Sequence, residues 1–134
     1  MATERTYIML KPDCIKRGLI GDVITRIERK GYKILDAKMM KLDEAILREH
    51  YPHLTDKPFF SHTLSYMTSG PVLGMIVEGE NAVLGMRTLM GPTKFGEATA
   101  GTIRGDFATS TGENIIHGSD SIENAEFEIK RFFK

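Results

Sequence analysis

The sequence predicts an α+β fold, an antiparallel sheet carrying helices on one face, and three observations lead there. Short apolar or alternating runs of strand length take turns with stretches of helical period. Hydrophobic residues make up 41% of the chain and charged residues 27%, the balance of an ordinary globular protein far from the compositions that stay disordered. A chain of 134 residues suffices for one core, so residues 1–134 are expected to form a single domain.

The elements follow in order. Residues 6–10 are an apolar run closed by Lys11-Pro12-Asp13, a strand end. Ile20, Val23, Ile24 and Ile27 recur at i, i+3, i+4 and i+7, and Gly31 stops the helix they define. Residues 32–42 alternate in part and read as a second strand; Asp43 then caps a helix through His50. Pro58 opens a further helical stretch to Met67, Ser69-Gly70-Pro71 turns the chain, and residues 72–77 form a third strand. Asn81 is the expected cap of a helix over residues 82–90, ended by Gly91-Pro92. Residues 93–113 show no sustained period, a length at which an irregular loop usually carries function. A brief last strand at 114–116 and a final helix to Phe133, capped by Asp120 or Ser121, complete the chain. This order matches a ferredoxin-like βαββαβ core with inserted extra helices.

Composition narrows the function. Lysine plus arginine is 18 and aspartate plus glutamate is 18, so no global field draws the chain to nucleic acid or an anionic membrane, and neither is an expected partner. An RNA-binding module on this fold would want a basic face, which zero net charge does not favour. Cys14 is the lone cysteine, which excludes an intramolecular disulfide and suits a reducing compartment; with no signal peptide or membrane span, the cytoplasm is the expected location. No two glycines stand two apart, so G-x-G-x-x-G is absent, and Gly96 and Gly101 have P-loop spacing but precede Thr102, not lysine. His50 and His53, separated by Tyr51-Pro52, are expected at the surface. No spacing of histidine, cysteine or carboxylate predicts a metal site built by the protein.

One stretch stands apart. In residues 114–121, two β-branched residues deliver His117 to a strand end, Gly118 admits a close neighbour, and Ser-Asp-Ser offers a helix cap. Near neutral pH much of an ordinary histidine is unprotonated and able to act as base or nucleophile. Glu128, on the following helix, is placed to fold back and orient the ring. Lys11, Arg87 and Arg104 lie where they can enter a shared cleft, Thr93, Tyr51 and Asn114 add neutral donors, and Phe59 or Phe60 offers an aromatic plate. From the residues alone this is an anion site or an ordinary capping loop with scattered surface cations.

Seven blocks in order resolve that choice. N-I-I-H-G-S-D-S at 114–121, E-R-T-Y-I-M-L-K-P-D at 4–13, R-G-L-I-G at 17–21, E-H-Y at 49–51, K-P-F-F at 57–60, S-G-P at 69–71 and G-T-I-R-G-D-F at 101–107 resemble the nucleoside diphosphate kinase family along essentially the whole chain. The resemblance implies transfer of the γ-phosphoryl group from ATP or another nucleoside triphosphate to a nucleoside diphosphate through a phosphohistidine, in ping-pong order and with little base selectivity. It implies that His117 is the nucleophile, that Glu128 and Ser119 position it, and that Lys11, Tyr51, Arg87, Thr93 and Arg104 hold phosphates. Lys11 and Asn114 would hold the sugar hydroxyls, and Phe59 would stack on the base. It further implies Mg²⁺, carried mainly by phosphate oxygens and water, and a homo-oligomer. Thr93-Lys94-Phe95 departs from the family's T-N-P, and Ala100 replaces a proline often found before Gly101, so a softer loop and a weaker assembly are expected. The chain also ends at Lys134, short of the C-terminal segment that many relatives use between subunits, and dimer, tetramer and hexamer all stay open.

Overall fold

The computed structural model describes residues 3–133. Its sheet has four strands in the order β2-β3-β1-β4, with every neighbouring pair antiparallel. The strands are β1 (Thr3–Leu10), β2 (Lys33–Met40), β3 (Val72–Glu80) and β4 (Ile116–Gly118). The helices are α1 (Pro12–Lys16), α2 (Ile20–Lys30), α3 (Glu44–His50), α4 (Phe60–Met67), α5 (Ala82–Met90), α6 (Ile103–Phe107) and α7 (Ile122–Phe132).

The central strand β1 explains the layering. Tyr7, Ile8, Met9 and Leu10 are all fully buried, because successive side chains point to opposite faces and both faces are covered. Ile8 and Leu10 pack with Val23 and Ile27 of α2 and Met86 and Met90 of α5, the two crossover helices. Tyr7 and Met9 meet Leu47 of α3, Tyr66 and Met67 of α4, and Ile129 and Phe132 of α7. The inserted helices and the C-terminal helix therefore cover the face opposite the crossover helices. The Tyr7 ring stacks on Phe132 with centroids 4.8 Å apart, which locks α7 along β1.

Most elements lie where the periodicity puts them. Gly31 ends α2 at φ 103°, the left-handed conformation that closes helices. Asp43 caps α3 by accepting from Ile46, and Ser121 caps α7 by accepting from Asn124, while Asp120 accepts from the Asn124 side chain instead. Strand β1 starts at Thr3, earlier than its apolar run, because Thr3, Glu4 and Arg5 pair with Glu80, Gly79 and Glu78. Pro12 both ends the strand and opens α1 at its first turn, where its missing N–H costs nothing. Cys14 is buried in α1.

Four expectations need correction. Asn81 sits at φ 51° and its side chain caps nothing; the Glu4 carboxylate, from β1, accepts the Val83 N–H at 3.1 Å. Helix α4 begins at Phe60, after a run of turns over residues 52–59. Residues 93–113 contain α6, capped by the Thr102 hydroxyl and too short to announce itself by periodicity. The last strand is Ile116–Gly118, displaced by the positive φ of Ile115, so His117 lies inside the strand opposite Met9 instead of beyond its end.

The Glu4 carboxylate serves as a long-range cap for α5. Glu4→Ala is expected to lower stability by about 1 kcal/mol, read as a lower urea midpoint with unchanged slope.

Candidate active site

Three elements converge beside β4. The end of β1 supplies Lys11, the segment from α5 through α6 supplies Arg87, Thr93 and Arg104, and α7 supplies Glu128. An open cleft of about 440 Å³ is lined by these residues together with Tyr51, Asn114 and His117. A second hollow of about 440 Å³ adjoins it, sharing Lys11, Tyr51, Thr93 and Asn114, and runs toward Phe59, Met67 and Tyr66. One chamber is polar and cationic, the other is walled by aromatic and aliphatic side chains. Phe59 is half exposed on the second, while its neighbour Phe60 is core.

His117 is held by a carboxylate. Its Nε2 lies 2.8 Å from Glu128 Oε1, and the Ser119 hydroxyl donates to the same oxygen at 2.8 Å. Burial raises the Glu128 carboxyl. The hydrogen bond and charge of His117, with the Ser119 hydroxyl, outweigh it and hold the group below the usual carboxylate range. Glu128 is thus ionised near neutral pH, Nε2 of a neutral His117 carries the proton toward it, and Nδ1 keeps its lone pair. Ser119 is fully buried behind the cleft and does not line it.

The cations are stacked without acids. Lys11 is buried and donates to Asn114 Oδ1 at 2.7 Å. Arg104 is buried and donates to the carbonyls of Gly91 at 2.9 Å and Ile116 at 2.5 Å, with Thr93 Oγ1 at 3.5 Å. Arg87 donates to the Gly118 carbonyl at 3.2 Å. A Cβ at Gly118 would stand 2.6 Å from Met90 Sδ, so any larger residue there would require the Met90 side chain of α5 to shift. No carboxylate forms an ion pair with Lys11, Arg87 or Arg104 among the described residues. Burial, and then the Arg104 charge, lower the Lys11 ammonium to about 8; burial, and then Arg87, lower Arg104 to about 10. Burial also pushes the Tyr51 phenol up to about 12. A site that desolvates positive charge with only neutral partners is built for an anion.

The chain matches the family model described as nucleoside diphosphate kinase over residues 4–134. A nucleoside diphosphate kinase of Staphylococcus saprophyticus is 53% identical over 131 residues, covering 98% of this chain and 88% of that protein. One of Archaeoglobus fulgidus is 52% identical over 130 residues, covering 97% and 86%. The chain belongs to the nucleoside diphosphate kinase family. Among solved structures, a nucleoside diphosphate kinase of Halobacterium salinarum in complex with CDP superposes with a TM-score of 0.94 at 48% identity, over 99% of this chain and 89% of that one. The enzyme from Encephalitozoon cuniculi gives 0.93 at 50% identity, over 96% and 88%. The activity of this nucleoside diphosphate kinase is phosphoryl transfer between nucleotides, and nucleotide kinases generally need a divalent cation.

Several residues at this kinase's cleft were missed or misplaced by the sequence reading. His50 is buried, not at the surface; His53 is exposed as expected, though it too lines the cleft. Arg131 and Glu49 also line it. Arg131 is three residues after Glu128 on one helix, a spacing that puts both on one face and is the signal that was available. His50, His117 and Glu128 offer ligand atoms within 4.8 Å of one another. Two of those atoms are already engaged, His117 Nε2 with Glu128 and His50 Nδ1 with the Arg131 guanidinium, and a guanidinium beside the trio disfavours a resident cation.

Lys11 makes function and stability opposed. Burial lowers its pKa to about 8 in the folded chain, below the ordinary 10.5, so between those pH values the unfolded chain binds more protons and stability rises with pH. Lys11→Met is expected to raise stability at pH 7 by about 1–2 kcal/mol, to flatten the rise between pH 8 and 10.5, and to weaken nucleotide binding. Thermal melts across that range check it.

Proposed function

We propose that residues 1–134 act as one nucleoside diphosphate kinase domain in which His117 carries the phosphoryl group. The observation that supports this best is an imidazole tethered at Nε2 by the partly buried Glu128 carboxylate, its other nitrogen without a hydrogen bond to any described residue, in a cleft whose buried cations have no acidic partners.

In the proposed sequence, Nδ1 of His117 attacks the γ-phosphorus of a nucleoside triphosphate, a P–N bond forms as the β–γ P–O bond breaks, and the nucleoside diphosphate leaves. A second nucleoside diphosphate enters, its terminal phosphate oxygen attacks the phosphorus, the P–N bond breaks and a new triphosphate departs. Donor and acceptor share one site in turn, which gives ping-pong kinetics. The transition state of each half is loose and disperses negative charge, so the protein chiefly positions groups and offsets charge. Lys11, Arg87 and Arg104 supply that charge, with Tyr51 and Thr93 as hydrogen-bond donors to phosphate. Lys11 and Asn114 hold the sugar hydroxyls. Glu128 stabilises the cation that develops on the ring and Ser119 fixes the carboxylate. Phe59 stacks on the base in the apolar hollow through a π-face every base possesses, so purines and pyrimidines are both accepted.

Mg²⁺ fits these surroundings. Hard cations of this size prefer oxygen donors and keep several waters. The carboxylates lining the cleft, Glu49, Asp120 and Glu128, are each hydrogen-bonded within the protein, so the ion would be held mainly by phosphate oxygens and water. Bound there, it would supply positive charge against the phosphates, beside that of Lys11, Arg87 and Arg104. We further propose a homo-oligomer, dimer, tetramer or hexamer. In support, the edge strand β2 exposes Leu35 and Met39, and Phe95 is exposed in the loop after α5. A cytoplasmic location is supported by the unpaired thiol of Cys14, and no described helix is long and apolar enough to cross a membrane.

Intact-protein mass spectrometry at mildly alkaline pH, after mixing with Mg·ATP and then excess GDP, tests the reaction. An acid-labile phosphoryl adduct that GDP removes as GTP is expected, and no adduct in His117→Ala. An adduct that persists in that variant would refute the role of His117. Glu128→Gln is expected to slow adduct formation by roughly 10²-fold, because the neutral amide no longer stabilises the ring cation; stopped-flow quenching measures it.

A further inference from the structure

His50 is a buried ionisable group at the cleft that the phosphoryl-transfer scheme leaves without a role. It ends α3, is 8% exposed, and sits among rings: Tyr51 at 4.5 Å, His117 at 4.9 Å and Phe132 at 5.2 Å between centroids, each roughly edge to face. We propose that His50 is a positioning residue for His117, its ring a wall against the nucleophile and its Nδ1 committed to the Arg131 guanidinium. The inference rests on the proposed role of His117.

The tether at Glu128 defines the need. One hydrogen bond to Nε2 fixes a point on the His117 ring and leaves its plane free to tilt about that bond. Attack on phosphorus requires the Nδ1 lone pair, which lies in the ring plane, to be aimed to within a few tens of degrees. The His50 ring, at 79° to the His117 ring, is a second contact outside that hydrogen bond and restricts the tilt. A smaller residue at position 50 would leave a void beside the nucleophile.

A chain of contacts holds the wall in one state. Arg131 NH1 lies 3.1 Å from His50 Nδ1, and Arg131 Nε donates to Glu49 Oε1 at 3.3 Å. A guanidinium only donates, so Nδ1 must accept, and the proton of a neutral His50 ring sits on Nε2. Nε2 is buried and makes no hydrogen bond to any described residue, so nothing there competes for the proton or rotates the ring. The groups facing His50 are Glu128 and Arg131 from α7, His117 from β4, Lys11 after β1, and its own neighbours Glu49 and Tyr51. Burial first, then the charges of His117, Arg131 and Lys11 against that of Glu128, push its protonation down to about pH 3. The wall is thus uncharged near neutral pH. A protonated His50 would set a positive charge against a nucleophile that must itself become cationic.

Three measurements test this on the full-length protein. Long-range ¹H–¹⁵N NMR of the wild type should show His50 neutral, with a bare Nδ1 and a protonated Nε2; the opposite tautomer or an imidazolium at pH 7 overturns the proposal. In single-turnover phosphorylation by Mg·ATP, His50→Ala should slow adduct formation about tenfold with unchanged half-saturation by ATP, and His50→Phe, which keeps a ring, should recover most of that rate. An unchanged rate in His50→Ala, or a loss confined to half-saturation, overturns it. Arg131→Met should allow His50 to take up a proton at Nδ1 and add an acidic limb to the pH–rate profile that the wild type lacks. The double variant His50→Phe/Arg131→Met should lack that limb. A limb that persists in the double variant, or none in Arg131→Met, overturns the proposal. No adduct in the wild type would refute the role of His117 and this inference together, whereas a normal wild-type adduct insensitive to His50 refutes this inference alone.

Discussion

The carboxylate of Glu128 is the constraint around which the site is arranged. One oxygen takes both the His117 ring and the Ser119 hydroxyl, so a single atom ties α7 to β4. Ser119 extends the tie to β1, its backbone N–H donating to the Tyr7 carbonyl and its hydroxyl lying against the Tyr7 backbone. The stacking of Tyr7 on Phe132 then closes the loop from β1 back to α7. Tyr7, Ser119 and Phe132 are buried and His117 and Glu128 partly so, and a buried polar group left without its partner costs about 1–3 kcal/mol, so the network is more stable whole than in part. The reactive ring is held by the same contacts that dock the last helix.

Electrostatics set the opposite tension. Lys11, Arg87 and Arg104 face the cleft with only carbonyls, an amide and a hydroxyl for partners. Neutral oxygens solvate a cation without cancelling its charge, so the field in the cleft stays positive although the chain as a whole is neutral. The cost of keeping that field is carried by the core on both faces of β1. A nucleotide supplies the missing negative charge, and stability and ligand affinity are therefore coupled.

Much of this was legible from residues in order, for reasons that can be named. Helix α2 is a clean amphipathic stripe with a glycine stop, and β1 and β3 are apolar because both their faces are covered. His117, Glu128 and the cations were found because seven blocks fixed them together, whereas spacing alone left both an anion site and a capping loop open. What was missed lies outside the reach of local pattern. The cap of α5 comes from Glu4, 79 positions away from Val83. α6 is five residues long and its capping signal, Thr102, lies among glycines. His50 was placed at the surface because histidine usually is; its burial follows from α7 crossing over α3, which brings Phe132 and Arg131 onto it.

The lone thiol has a practical corollary. Cys14, within α1, has no exposed surface, and burial together with Asp13 pushes its thiol up to about 12. A thiol so rarely ionised reacts slowly with alkylating reagents and oxidants alike. A cysteine introduced at an exposed position would then take a fluorophore or spin label almost alone, with the native sequence otherwise intact. Phe127, half-exposed beside the cleft and outside the proposed binding contacts, is a natural place for such a label to report on nucleotide arrival.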